Sequence, residues 1–159
     1  MASDFHIKFS GVDGESAHKD HKGEIDVLSW NWSVSQPSGA SSGGGSGKGK
    51  GIPGGFGFTH AYDKASPVLA KSCAGGKHFD TVKLVCRKAG DGQKDYLTIN
   101  MKEVLVTNLA PSASMGGDVT ESVTCSYKDI EYIYKAQDAK GGVGGDVKFG
   151  WDTVSTETR

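Results

Sequence analysis

Apolar and polar residues alternate along most of the chain with a period of two. Within residues 56–62, for example, Phe56, Phe58 and His60 share one parity. Such alternation is typical of a strand that buries one face. The same pattern recurs in residues 5–9, 82–88 and 147–151. We therefore predict a mainly β chain with some seven to nine strands.

The apolar parity switches part-way through three long segments. Ile25 and Val27 have one parity, and the opposite one is shared by Leu28, Trp30, Trp32 and Val34. This switch predicts a bulge or sharp bend near residues 27–28. Comparable switches occur near residues 102–103 and between Tyr127 and Ile130. Because bending strands let a sheet curl, the predicted fold is a closed or nearly closed β-barrel, with a β-sandwich as the alternative.

One short helix is predicted among the strands, at about Ser66–Ala74. Ser66 suits the N-cap and Pro67 the first helical position. Gly75 and Gly76 follow, and glycine tolerates the left-handed conformation that ends many helices. A helix this short is unstable alone, since isolated helices need roughly 12–15 residues in water. We expect it to lie laterally against the sheet.

The length of 159 residues fits one domain, residues 1–159. Glycine occurs 24 times, and ten of these glycines lie between Gly39 and Gly57. A segment so rich in Gly and Ser buries too little surface to offset the entropy lost on ordering. We therefore predict a flexible loop over residues 37–55.

The charge balance excludes several classes of partner. Lys and Arg total 18 and Asp and Glu 19, so the net charge of −1 gives no general attraction to nucleic acid or anionic lipid. No run approaches 18 apolar residues, and the start lacks a basic segment followed by an apolar one. We expect neither membrane insertion nor a cleaved signal peptide, and a chain folded in the cytoplasm.

Candidate chemical motifs are incomplete. His18, Asp20 and His21 are close in sequence, but a zinc site needs three or four ligands with supporting partners. The glycines around Lys48 and Lys50 resemble a phosphate loop, yet Gly51 stands where Ser or Thr must bind magnesium. No Cys or Ser lies in a recognisable nucleophile elbow or cysteine-protease context. We predict no catalytic, cofactor or metal site, and a protein that is not an enzyme.

Cysteine and tryptophan leave one alternative open. The three cysteines, Cys73, Cys86 and Cys125, form no C-x-x-C pair and are interpreted as reduced, buried thiols. Trp30 and Trp32 have the parity of core residues. If these rings and Trp151 were instead exposed along a groove, the chain would be a monomeric β-barrel module that binds carbohydrate or another ligand.

Several segments together resemble the haemolysin-coregulated protein (Hcp) family of bacterial type VI secretion systems. They are residues 14–16, 24–32, 63–67, 76–79, 83–90, 102–106, 121–124 and 150–152, in the order of the family. The resemblance covers nearly the whole chain. The departures are Cys125, beside the usual apolar residue, and the lengthy glycine loop.

The resemblance implies a barrel subunit that forms a homohexameric ring. Stacked rings would make the inner tube of a contractile injector, with the spike protein and the contractile sheath as partners. It further implies export by that apparatus and effector proteins carried in the lumen. A phage tail-tube subunit is a related alternative.

Two sets of residues are candidates for these roles. The small polar residues Ser29, Asn31 and Ser33 lie opposite Trp30 and Trp32 in parity and are candidates for the lumen lining, with an outer solvent face as the alternative. A loop that orders only when a second ring arrives would suit ring stacking. The candidates there are Gly43, Gly47, Lys48 and Lys50.

Overall fold

The computed structural model describes residues 3–37, 51–88, 94–137 and 143–159. Within them the chain forms twelve strands and one helix, which confirms the mainly β fold. In chain order these are β1 (Ser3–Phe9), β2 (Ile25–Val27), β3 (Ser29–Asn31), β4 (Val34–Ser35), β5 (Ile52–Pro53), β6 (Phe56–Ala61), α1 (Ser66–Gly75), β7 (Phe79–Lys88), β8 (Asp95–Ser112), β9 (Thr120–Ser126), β10 (Asp129–Gln137), β11 (Val143–Asp152) and β12 (Glu157–Thr158).

The strands form two antiparallel layers that share β8. The first layer has the order β12-β11-β10-β8-β7-β1-β2. The second consists of β3, β6, β9 and the later part of β8, from Leu105 to Ser112. β7 and β8 pair in antiparallel register, with Leu84 opposite Ile99. The core lies between the two layers.

The three predicted bends carry the chain from one layer to the other. β8 bends at Glu103, whose φ of 48° is unusual for a residue with a side chain. The first bend is at Leu28, which donates its N–H to the Thr59 carbonyl at 2.8 Å. The third lies between the end of β9 and the start of β10. In the described residues the ladders nearly encircle the core, although hydrogen bonds do not close the sheet.

The core is apolar and includes the predicted aromatic residues. Its fully buried large side chains include Phe9, Phe56, Leu84, Ile99 and Ile130. Trp30 and Trp32 pack against this core and are partly buried. Leu28 and Val34 are exposed, however, so the prediction that they share the buried face is wrong. Leu28 lies at the crossing between layers, and Val34 lies in the separate β4–β5 hairpin.

The helix is close to its predicted bounds and packs against β8 through buried Leu69. Its N-cap is Ala65, not Ser66 as predicted. The Ser66 hydroxyl instead accepts a hydrogen bond from the Asp63 N–H at 3.2 Å. The end is as predicted, because Gly76 adopts the left-handed conformation with φ 65°.

The predicted loop over residues 37–55 is partly wrong. Ile52–Pro53 forms β5 and pairs with Val34–Ser35, because the chain on either side of the Gly/Ser segment is extended enough to make a short ladder. Residues 38–50 lie outside the described residues.

Candidate assembly surfaces

Among the described residues, most side chains on the outer face of the second layer are small and uncharged. Ser29 and Asn31 lie opposite Thr59 and Gly57 in the register. On the neighbouring strands the same face continues through Ser122, Thr124, Asn108, Ala110 and Ser112. We call this set the polar face. It is an uncharged surface with the apolar core on its other side. A cavity of about 320 Å³ opens on it, lined by Ser29, Trp30, Asn31, Gly57, Phe58, Thr59, Ser122, Val123 and Thr124.

Glycine residues let the side chains of Asn31 and Ser33 lie close to the backbone of a neighbouring segment. A Cβ atom on Gly57 would lie 2.5 Å from Oδ1 of Asn31, and one on Gly54 would meet the Ser33 hydroxyl. Real Cβ atoms do not approach other atoms so closely, and the absent side chains make the contacts possible. Ser29 and Asn31 therefore belong to the polar face, whereas Ser33 lies beyond the end of β3, beside Gly54.

The β4–β5 hairpin exposes apolar side chains. Val34 and Ile52 are 52% and 54% exposed. Next to them is a groove of about 400 Å³, lined by Val34, Ser35, Gln36, Gly51, Phe149, Trp151, Thr156 and Thr158. Sequence reasoning placed this region in a loop and missed it. The signal was present, since Ile52 and Pro53 are the first apolar residues after the Gly/Ser segment.

A tyrosine hydroxyl connects this hairpin region to the barrel. Trp32 Nε1 donates to the Tyr127 hydroxyl at 2.5 Å, and that hydroxyl donates to the Gly54 carbonyl at 2.8 Å. Burial raises the pKa of Tyr127, although the hydrogen bond from Trp32 opposes this. The Trp32 ring also packs against Tyr132, with ring centroids 5.0 Å apart. The segment that leads into the hairpin is therefore fixed.

One edge of the first layer is only partly paired. β11 pairs with β10 along its length. Among the described residues, its other side pairs only at residues 150–152, with β12 and the backbone of Arg159. Residues 144–148 of this strand are exposed, and Val147 is the most exposed apolar residue among them. An unpaired strand edge offers N–H and C=O groups to another strand.

The polar loop before β2 is folded against the barrel. His18 and His21 lie near His6 of β1, which sequence reasoning missed because the contact joins distant residues. Asp20 accepts a hydrogen bond from Arg87 at 3.1 Å, and this bond lowers the pKa of its carboxyl. Among the described residues, no three His, Cys, Asp or Glu side chains are placed to hold a metal ion.

The remaining predicted residues lie elsewhere. Gly43, Gly47, Lys48 and Lys50 are outside the described residues, so their role stays a prediction. Trp151 is buried, which does not fit the exposed aromatic groove of a carbohydrate-binding module. In the described part of the chain, no helix is both long and apolar enough to span a bilayer.

Comparison with known proteins decides the family. The sequence model described as "Type VI secretion system effector, Hcp" matches residues 6–134. The chain belongs to the Hcp family. Protein hcp1 of Pseudomonas aeruginosa is 44% identical over 155 residues, which cover 96% of each chain. The resemblance predicted from the sequence is thereby confirmed.

Solved Hcp structures have the same fold. The structure titled "Structure of a type six secretion system protein" has a TM-score of 0.93 at 28% identity and covers 99% of this chain and 100% of its own. Hcp1 from Salmonella typhimurium has a TM-score of 0.83 at 35% identity, with both chains covered completely. Hcp proteins are tube proteins of the type VI secretion system and are secreted by it.

Proposed function

We propose that this chain forms homohexameric rings that stack into the inner tube of a type VI secretion system. The observation that carries the proposal is the exposed apolar β4–β5 hairpin beside the groove, together with family membership over most of the chain. Val34 and Ile52 are costly to leave in water, because burial of apolar surface is favourable by about 25 cal/mol per Å². A neighbouring copy that covers them removes this cost.

The mass in solution tests the ring. Light scattering coupled to gel filtration should give a particle near six times 16.7 kDa. Ile52→Asp places a charge on the apolar hairpin and should shift the population toward single subunits. Met115→Asp, at a fully exposed residue after β8, is the matched control and should leave the ring intact. A monomeric parent protein would instead favour the ligand-binding module.

We place the polar face toward the lumen of the ring. A lumen that holds and releases effector proteins benefits from small, uncharged side chains, since these neither trap charges nor present sticky apolar surface. Asn31→Arg adds bulk and charge there, and it should leave rings intact while reducing retention of a co-expressed effector. Loss of the ring in this variant would contradict the assignment of Ser29 and Asn31 to the lumen. Ser33 is a candidate for the same lining.

The segment with Gly43, Gly47, Lys48 and Lys50 is our candidate for contact between stacked rings. Removal of residues 43–50 should preserve the single ring and weaken growth into tubes. Electron microscopy of both proteins, under conditions in which the parent forms tubes, measures the difference. Equal tube formation would rule out a stacking role.

The implied partners are the spike protein at the tip, the contractile sheath and the effector proteins. The subunit would fold in the bacterial cytoplasm and leave the cell without a cleaved signal peptide, as a structural component and not an enzyme. Mass spectrometry of the protein from culture medium tests this, because the exported chain should retain its first residues. Export should also stop when the sheath is absent.

A further inference from the structure

Three imidazole rings from two segments meet on the barrel surface. His6 and His21 stack with their centroids 4.6 Å apart and an interplanar angle of 8°. The His18 ring lies 5.3 Å from His6 and 5.7 Å from His21. His6 belongs to β1, whereas His18 and His21 belong to the loop that leads to β2. The loop is thus held to the barrel through a histidine cluster.

His6 is the least solvated member of this cluster. It is 5% exposed, and neither of its ring nitrogens has a hydrogen-bond partner among the described residues. Its Nδ1 is 2.9 Å from a carboxylate oxygen of Asp26, but the orientation does not make a hydrogen bond. The site therefore accepts a neutral imidazole more easily than a charged one.

Charged groups from the same loop and from β2, β7 and β8 surround the rings. Nδ1 of His21 is 2.5 Å from Glu24, and its Nε2 is 3.5 Å from Asp95 of β8. Arg87 of β7 forms ion pairs with Asp20 and Asp95 at 3.1 and 3.2 Å. Its Nη1 also lies 3.4 Å from His18. Four carboxylates, those of Asp20, Glu24, Asp26 and Asp95, therefore face three imidazoles and one guanidinium.

The balance of these effects favours neutral His6. Burial lowers its pKa, and the neighbouring His21 and His18 lower it further. Asp26 and Glu24 act in the opposite direction, but the Asp26 side chain is 65% exposed and its attraction is screened by water. When the tip opens, the His6 ring becomes solvated and its pKa returns toward the ordinary value near 6.5. His6 therefore binds a proton less readily in the closed cluster than in the open one.

The loop has a fixed base and a tip that is held by the cluster and by the ion pair of Asp20 with Arg87. At the base, Gly14 donates its N–H to the Gly23 carbonyl at 2.7 Å, and Ser16 donates to the Glu24 carbonyl at 2.9 Å. The carboxylate of Glu15 also accepts the N–H of Lys64. The tip, residues 17–22, contributes His18 and His21 to the cluster and exposes most of its other side chains.

We propose that the cluster of His6, His18 and His21 is a pH-sensitive clasp, and that acidification releases the tip, residues 17–22, while the base stays in place. The sign follows from linkage: a group whose pKa is lower in the closed state contributes stability above its open-state pKa and loses it as the pH falls. The relevant window thus begins near pH 6.5 and extends below it. For one such histidine, the opening equilibrium rises between pH 7.5 and 5.5 by up to about tenfold, the limit reached when the closed state does not bind the proton.

Hydrogen exchange of the assembled full chain tests the clasp. Amide protection of peptides covering residues 17–22 is measured at pH 7.5 and 5.5, with correction for the pH dependence of intrinsic exchange. We expect protection of the tip to fall by up to about tenfold, while peptides from β7 and β8 keep theirs. Equal loss in the tip and the barrel would indicate global unfolding and overturn the proposal, as would an unchanged tip.

Variants identify the titrating group. His6→Phe keeps an aromatic ring in the buried position and removes the proton site, so the tip should become insensitive to pH. His78→Phe, which replaces an exposed histidine, is the matched control. In this variant the protection of the tip should change with pH as fully as in the parent. If His6→Phe folds poorly, His18→Gln, which removes one neighbouring ring, should reduce the change. A full response in both cluster variants would overturn the assignment.

Discussion

The carboxamide oxygen of Asn31 lies 2.5 Å from the point where a Cβ atom on Gly57 would stand. The two residues are directly paired between β3 and β6. Gly57 therefore gives the Asn31 side chain room to lie against the sheet, and both residues line the cavity on the polar face. The contact joins a candidate functional side chain to a backbone position that only glycine can fill without displacement.

Gly57→Ala should move Asn31 without unfolding the protein. The clashing atom is the far end of a flexible side chain, so we expect a cost below about 1 kcal/mol, the size of an off-rotamer adjustment. Urea unfolding at a fixed subunit concentration measures the cost. Effector retention should change measurably, while the free energy of unfolding changes by less than about 1 kcal/mol. A large loss of stability with unchanged effector retention would contradict our account of the polar face.

Gly14→Ala should be far more damaging, because its Cβ would meet backbone atoms. The carbonyl group of Glu24 lies under 3.0 Å from that position, and so does Cγ1 of Ile25. Overpacking against groups that cannot move costs typically 1–3 kcal/mol, and we expect about 3 kcal/mol in urea unfolding. Gly145→Ala is the matched control, since nothing lies within 4 Å of its Cβ position. Equal stability of both variants would be inconsistent with this packing.

Glu121→Ala should destabilise the second layer strongly. Glu121 and His60 are 2% and 0% exposed, and Glu121 Oε1 lies 2.9 Å from His60 Nε2. Removal of one partner leaves a buried polar ring unsatisfied, which costs about 3–5 kcal/mol where the lost pair is ionic. Calorimetric and urea unfolding should both record the loss.

Glu121→Gln keeps a carbonyl oxygen at the same position and should recover part of this stability. Asp13→Ala, which removes only the exposed contact to Lys8, should leave stability unchanged. A Glu121→Ala variant as stable as the parent would refute a structural role for the buried pair.

Tyr127→Phe should loosen the approach to the β4–β5 hairpin. The substitution leaves the Trp32 N–H and the Gly54 carbonyl without their shared hydroxyl. Each unsatisfied buried group costs about 1–3 kcal/mol, less where water can enter, so we expect a loss of about 2 kcal/mol. Hydrogen exchange should also increase at residues 51–55 before it does in β7. Uniform exchange across the chain would argue against a local effect.

The three thiols should differ in reactivity. Burial raises the pKa of Cys86 and Cys125 to about 12, whereas Cys73 is partly exposed on α1. A disulfide reagent at pH 8 should therefore modify one thiol per chain rapidly and the other two only after denaturation. Cys73→Ser should abolish the rapid phase. Rapid modification of two thiols in the native protein would contradict the burial of Cys86 or Cys125.

Most of the strand pattern could be predicted because alternation is a local property. The parity switch before Trp30 correctly indicated that the strand breaks at Leu28. The burial of Leu28 itself was wrong, because parity cannot say that a residue lies at a crossing between layers. Ser66 failed as an N-cap for a related reason, since its hydroxyl bonds to Asp63 in the preceding turn. Ile52 and Pro53 could pair only once residues far from them in sequence were placed beside them.

The sequence by itself determined the family, the mainly β fold, the bending of the long strands and the position of the helix, since each depends on residue order and local periodicity. Only the tertiary structure decided which side chains meet. The contact of His6 with His18 and His21, the pairing of His60 with Glu121 and the assembly of the polar face from β3, β6, β8 and β9 all join segments far apart in the chain. Such contacts depend on register and layer packing, and a linear pattern does not encode either directly.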